Sequence, residues 1–259
     1  MASLKKILLI TEGPEDKKVL SRIFRAYGKE VDIVTFKMNV YKLIDLYESQ
    51  NTEYENIDLQ QTLLYELADL KQSEVKILQD RYVDKFLIFD FDPHAPQARL
   101  DKLENFIKYF RDSSDMGKLY INYPMMESYQ HVSDKKLRKL EIDQEFLSRR
   151  FDKEDFVVGS RVAYKTRAKR EGFTRRALSK QEWNWLISHH LYKLEQTVGS
   201  LRQSDFSQNI FLDLFKQQCA NFQKDQSGLV LNTSLALIPE LYPADWEDMT
   251  SRFETAPNI

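Results

Sequence analysis

Six carboxylates stand where apolar runs of this chain stop. KKILLIT (5–11) ends at Glu12-Gly13, followed by Pro14, Glu15 and Asp16, and KFLIFD (85–90) ends at Asp90 with Asp92 two residues on. Glu127 follows a third run, KLYINYP (118–124). Carboxylates gathered within a few ångströms repel one another, and a hard divalent cation removes the conflict. Mg²⁺ suits such a cluster because it takes oxygen ligands and keeps waters that a phosphate can displace. One or two Mg²⁺ or Mn²⁺ ions there would polarise a phosphodiester and generate a hydroxide nucleophile. The competing reading is simpler: acids at strand ends and helix starts are common caps. Glu15 reads as an ordinary helix-start acid, and Asp16 alone reads as a cap.

The clustering requires elements that carry these positions to one edge. The apolar runs are short and continuous, as in strands buried on both faces of a parallel sheet. From Pro14 the period changes to helical, with Val19, Leu20, Ile23 and Phe24 on one face, and Val31–Phe36 reads as the next strand. Strand–helix–strand in about thirty residues is the spacing of a βαβ unit. Residues 40–80 carry helical periodicity (Tyr41, Leu43, Ile44, Tyr47; Leu63, Leu64, Leu67, Leu70) and predict one or two inserted helices. A strand at 85–90, a helix from Gln97 to Phe110 and a fourth strand at 118–124 complete an α/β chain with a mostly parallel sheet flanked by helices. In such a sheet every strand's C-terminal end opens on the same crevice. Asp90 and Asp92, two apart in an extended stretch, would lie ~6.6 Å apart along the strand.

Beyond about residue 130 the strand signals fade, which predicts a mainly helical C-terminal portion over 131–259 after a catalytic domain over 1–130. The apolar stretch GLVLNTSLALIPELYP (228–243) reads as core or as a partner surface. With 42% apolar and 30% charged residues the chain is globular rather than disordered. A single cysteine, Cys219, excludes an intramolecular disulfide and a cysteine-based zinc site, and fits a reducing cytoplasm. No stretch approaches the ~20 apolar residues of a membrane span.

The segments LLITEGPEDKKVL and FLIFDFD carry a resemblance. The first resembles the opening motif of Toprim domains, a hydrophobic strand, Glu-Gly and an acid-bearing helix; the second resembles their DxD motif. The resemblance spans about residues 5–128 and implies a Rossmann-like sheet with a Mg²⁺-dependent site for phosphodiester chemistry. Glu12 would be the general acid/base or a metal ligand, and Asp90 and Asp92 metal ligands. The acid four residues past Glu12 matches overcoming-lysogenization-defect (OLD) type nucleases, which implicates Asp16, and those nucleases carry a further acid after the fourth strand, which implicates Glu127. The 40–80 insertion departs from a minimal Toprim domain. The chain has no room for topoisomerase cleavage domains and no primase-type zinc cysteines. What remains is similar to stand-alone Toprim nucleases encoded beside an ATPase in bacterial anti-phage systems, which act as toxic effectors in abortive infection. No GxxxxGK[ST] pattern occurs, so the ATPase would be a separate partner chain.

Between Arg161 and Arg176, RVAYKTRAKREGFTRR holds seven basic residues against one acid, in a chain of net charge −2. Arg161, Lys165, Arg167, Lys169, Arg170, Arg175 and Arg176 are expected to track a phosphate backbone of RNA (tRNA included) or DNA, with Tyr164 and Phe173 available for base stacking. Lys165 or Lys169 would neutralise charge on a scissile phosphate. A solvated helix face or a dock for an acidic partner would produce the same composition. Trp183, Trp185, Leu186, Leu191 and Leu194 read as core or interface. His189 and His190 point ~100° apart on a helix, and His94 stands nearer the acids. Three further readings stay open: a ribosomal-RNA maturase, a haloacid-dehalogenase-type phosphatase using the DxD, and a non-catalytic binding module. A homo-oligomer also stays open.

Overall fold

The computed structural model describes residues 6–67, 69–93, 98–156, 161–173, 176–199, 201–207 and 210–250. The chain divides into two compact units, Met1–Tyr120 and Ile121–Ile259.

The first unit alternates strands and helices. In order they are β1 (Ile7–Thr11), α1 (Pro14–Ala26), β2 (Asp32–Thr35), α2 (Val40–Ser49), α3 (Leu59–Glu66), α4 (Gln72–Leu78), β3 (Asp84–Asp90), α5 (Leu100–Tyr109), β4 (Arg111–Asp112) and β5 (Gly117–Asn122). They form a mostly parallel five-stranded sheet of order β2-β1-β3-β5-β4, flanked by helices and compatible with a Rossmann-like arrangement. β1 lies between β2 and β3, parallel to both, with Leu9 opposite Ile33 on one side and Phe86 on the other. All five β1 residues are buried, as a strand covered on both faces requires.

α1 begins where the sequence predicts, with Pro14 at its first position and Val19, Leu20, Ile23 and Phe24 buried. The helix packs on β1 and β2, and the Lys17 ammonium donates to the Ile33 carbonyl at 2.7 Å. Among the described residues the insertion holds three α-helices rather than one or two, because Asp58 caps α3 through the Gln61 N–H and the Glu74 carboxylate accepts from the Lys71 N–H at the start of α4. α2 packs on α5 through edge-on rings: Tyr47 meets Phe106 at 5.3 Å and Tyr54 at 5.5 Å. Arg99 pairs with Asp45, and Lys102 with Glu48 at 2.6 Å. Arg99 is the extended N-cap of α5, so the described helix starts later than the expected Gln97, which lies outside the described residues.

β4 was not expected. Two exposed residues pair antiparallel with β5, Arg111 opposite Lys118. Gly117 closes this hairpin at φ +122, and a Cβ there would meet Leu87 Cδ1 at 2.9 Å.

The second unit is mainly helical: α6 (Asp134–Lys139), α7 (Gln144–Ser148), β6 (Arg150–Asp152), α8 (Arg161–Glu171), α9 (Lys180–Val198), α10 (Ile210–Asp225), β7 (Ser227–Leu229), α11 (Leu237–Leu241) and α12 (Trp246–Thr250). α9 opens on a Ser179/Glu182 capping box and is buried on every side from Trp183 to Leu194, so it is the central helix of this unit. β6 and β7 add an unexpected two-stranded antiparallel sheet, Phe151 opposite Gly228. The stretch 228–243 is largely core: Val230, Leu231, Leu235, Leu237 and Ile238 are all buried. No described helix is long and apolar enough to cross a membrane.

Candidate functional site

The parallel register of β1 and β3 carries Glu12 and Asp90, 78 residues apart in sequence, to one place on the sheet edge. The Glu12 N–H continues the ladder to the Ile88 carbonyl at 3.1 Å. Its carboxylate then turns across and accepts from the Asp90 backbone N–H at 3.3 Å. Both acids are nearly enclosed, at 8% and 9% exposure. Asp92 follows just past the strand and is half-buried. On the other side of Glu12, the Lys37 N–H donates to its carbonyl at 3.0 Å, and Lys37 takes the left-handed conformation, φ +65.

Asp16 is the third residue of α1, and its Oδ2 accepts from the Gly13 N–H at 2.7 Å. That bond satisfies the backbone N–H of the N-cap residue and places the negative charge at the positive end of the helix. Glu127 belongs to the second unit, in the 3₁₀ turn Met126–Gln130. There it is 3% exposed and pairs with Lys165 of α8, Nζ to Oε1 at 3.1 Å. Two of the expected site residues are thus paired with each other.

The donor set of the first unit is chemically right for Mg²⁺: hard carboxylate oxygens and no sulfur or imidazole. Among the described residues no group of three or more His, Cys, Asp or Glu side chains stands close enough to hold a metal ion. The residues therefore fit the ion as an open platform of one or two carboxylates, the common manner in which Mg²⁺ is held when water and phosphate complete its shell, and not as an enclosed cage.

The basic segment forms α8 and the residues after it, and its charges are largely committed. Arg167 pairs with the buried Asp155 at 2.6 Å, and Arg176 with Glu182 at 2.5 Å. Arg170 reaches the neighbouring Glu171 at 3.0 Å, while Lys169 is exposed. The Arg161 side chain, Arg175 and His94 lie outside the described residues. Beside the helix is an open depression of about 560 Å³ whose lining mixes Arg167 and Arg170 with Asp152, Glu154 and Asp155. The expected stacking role of Tyr164 and Phe173 does not hold, because their rings are 0% and 1% exposed. Tyr164 faces inward one helical turn before the buried Ala168, and Tyr129 packs edge-on against Phe173 at 5.8 Å.

Under α8 lies a polar network that no local spacing announces. His131 Nδ1 meets the Tyr164 hydroxyl at 3.2 Å, and Nε2 meets Glu171 Oε2 at 3.0 Å. Arg149 Nη1 lies 2.7 Å from the same Nε2 and 2.6 Å from the same carboxylate oxygen. Burial, reinforced by the Arg149 charge, pulls the His131 pKa down to about 4, so the ring is neutral near neutrality. Burial opposes ionisation of Glu171, but its bonds from His131 and Arg170 outweigh that and hold it at about 2.

No protein-family model, curated protein or solved structure matches the chain.

Proposed function

We propose that the chain is a Mg²⁺-dependent nuclease of Toprim type, acting on the phosphodiester backbone of RNA or DNA, with the carboxylate edge of the first unit as its active site. The observation that carries the reading is the Glu12 carboxylate resting on the Asp90 N–H at 3.3 Å, which sets two buried acids at adjacent strand ends. Glu12 and Asp90 would hold the ion, which when bound would supply a Lewis acid for the phosphoryl oxygen and an activated water. The backbone N–H fixes Glu12 in place, so its carboxylate can hold or move a proton at a phosphodiester oxygen without first reorganising. Lys165 and the exposed Lys169 and Arg170 would take the nucleic-acid backbone. The placing of this activity in anti-phage defence, under the control of a partner ATPase, rests on the Toprim resemblance.

The test is cleavage of single- and double-stranded RNA and DNA with Mg²⁺, with Mn²⁺ and with EDTA. Glu12→Gln and Asp90→Asn are each expected to lower cleavage at least ~100-fold while the circular dichroism spectrum is unchanged. Wild-type cleavage rates in both folded variants, or hydrolysis of small phosphomonoesters in place of nucleic acid, would remove the proposal.

A further inference from the structure

Lys37 sits one strand over from Glu12 on the same sheet edge, and its backbone, its position and its charge bear on what it can bind. The first is its backbone. Phe36 and Lys37 both donate to β1, to Thr11 at 2.7 Å and to Glu12 at 3.0 Å, so the chain abandons strand alternation there. Lys37 then adopts φ +65, a conformation that glycine or asparagine takes far more readily than a lysine. The second is position. Parallel strands lie ~4.8 Å apart, and Glu12 is held between Asp90 on the β3 side and Lys37 on the β2 side. The third is charge. Lys18, Lys42 and Lys102 pair with Glu15, Asp45 and Glu48. Among the described residues no carboxylate pairs with Lys37, whose exposed ammonium has one long contact, to the Asp69 carbonyl at 3.5 Å. A left-handed backbone thus roots an exposed lysine, with no carboxylate partner among the described residues, directly beside Glu12, on an edge that an anionic strand would have to approach.

We propose that Lys37 binds a backbone phosphate of the nucleic-acid strand, beside the phosphodiester presented to Glu12 and Asp90. The proposal rests on the nuclease reading above. A strand crossing this edge brings its own negative charge towards Glu12, Asp90 and Asp92, and the ammonium offsets that repulsion from the β2 side. As a point charge on a flexible stem, it grips any phosphate without reading a base.

The experiment is fluorescence anisotropy of the full chain with a short labelled single-stranded oligonucleotide, RNA and DNA in separate arms, with Ca²⁺ replacing Mg²⁺, across a salt series. Lys37→Gln is expected to weaken binding ~5-fold and to reduce the slope of log affinity against log salt by about 0.7, the loss of one single-strand phosphate contact. Lys37→Arg should keep both. Lys37→Gly, which relieves the left-handed backbone, should melt at or above the wild-type temperature yet bind as weakly as the Gln variant. Wild-type affinity and slope in the Gln and Gly variants would overturn the assignment and leave the nuclease reading standing, and so would a Gly variant that fails to fold. A wild-type chain that binds neither oligonucleotide and cleaves neither would overturn both.

Discussion

Replacing Asp16 by asparagine and, separately, by alanine tests whether this carboxylate serves the helix or the chemistry. In the structure Asp16 is nearly buried, and its Oδ2 takes the Gly13 N–H at 2.7 Å at the start of α1. Alanine removes that bond, worth about 1 kcal/mol at a helix N-terminus, and the charge at the positive end of the dipole, worth about 0.5 kcal/mol more. Asparagine keeps an acceptor and forfeits only the smaller part. The alanine variant should therefore lose about 1.5 kcal/mol, roughly 6 °C of melting temperature for a unit of this size, and the asparagine variant about a third of that. Urea unfolding followed by far-UV circular dichroism measures both, and cleavage assays on the same samples measure the chemistry. A cap leaves the asparagine variant cleaving within about three-fold of wild type, far short of the ~100-fold losses that follow from removing transition-state contacts. The reasoning is refuted by an asparagine variant of wild-type stability whose cleavage collapses, for then the charge and not the acceptor is what the protein uses. An alanine variant as stable as wild type would refute the capping argument itself.

Two further predictions concern the second unit, where all three tryptophans (Trp183, Trp185 and Trp246) lie, so that their fluorescence reports its unfolding. His131 is buried among Tyr164, Glu171, Arg149 and Arg167, and its pKa falls from the ordinary 6.5 to about 4. The fold favours the neutral ring, so this stability is complete above pH 6.5 and drains away as the pH falls towards 4. Between about pH 7.5 and about pH 5 the loss amounts to about 2 kcal/mol. His131→Gln should abolish that part of the acid slope, and an unaltered slope in the variant contradicts the assignment. Glu171, held near 2, contributes stability that is complete above its ordinary carboxylate range and is lost only below it, so it does not blur the window. Gly172 is the other case: a Cβ there would stand 1.8 Å from the Gln130 carbonyl oxygen and 2.6 Å from that of Ala168. Gly172→Ala should cost about 2–3 kcal/mol by forcing the end of α8 off the turn that holds Glu127. A wild-type melting temperature in that variant would be the contrary result.

What the sequence disclosed depended on whether the signal was local. β1, α1 and β3 announce themselves through continuous apolar runs and a proline at a helix start, and the structure has them where those signals fall. Elements made by long-range pairing gave no such sign. β4 has two charged residues and exists only because β5 turns back on it, and β6 and β7 are three-residue strands that pair across some seventy-five positions, as in Asp152 opposite Ser227. The acids at the strand ends were legible as residue types. That Glu12 reaches the Asp90 N–H is a product of the β1–β3 register, which no spacing within either segment contains. The basic segment misled in one respect. Seven cations in sixteen residues conceal an inward face formed by Tyr164, Ala168 and Phe173, and composition cannot tell a solvated arginine from Arg167 on a buried aspartate. Lys37 was passed over because its distinguishing property is a backbone angle.

The outer strands of the five-stranded sheet have a bearing on how the protein behaves at high concentration. Inner strands such as ILLIT and DKFLIFD are the kind of segment that adds to a copy of itself when exposed, and a sheet invites that addition at its two rims. One rim is β4, only two residues long and both charged. The other is β2, where the Lys17 ammonium occupies the Ile33 carbonyl, the Tyr82 hydroxyl holds Asp32 and α4 packs alongside. A short charged rim on one side, and a lysine, a tyrosine and a helix against the other, work against the addition of a foreign strand to the apolar sequences that build the site.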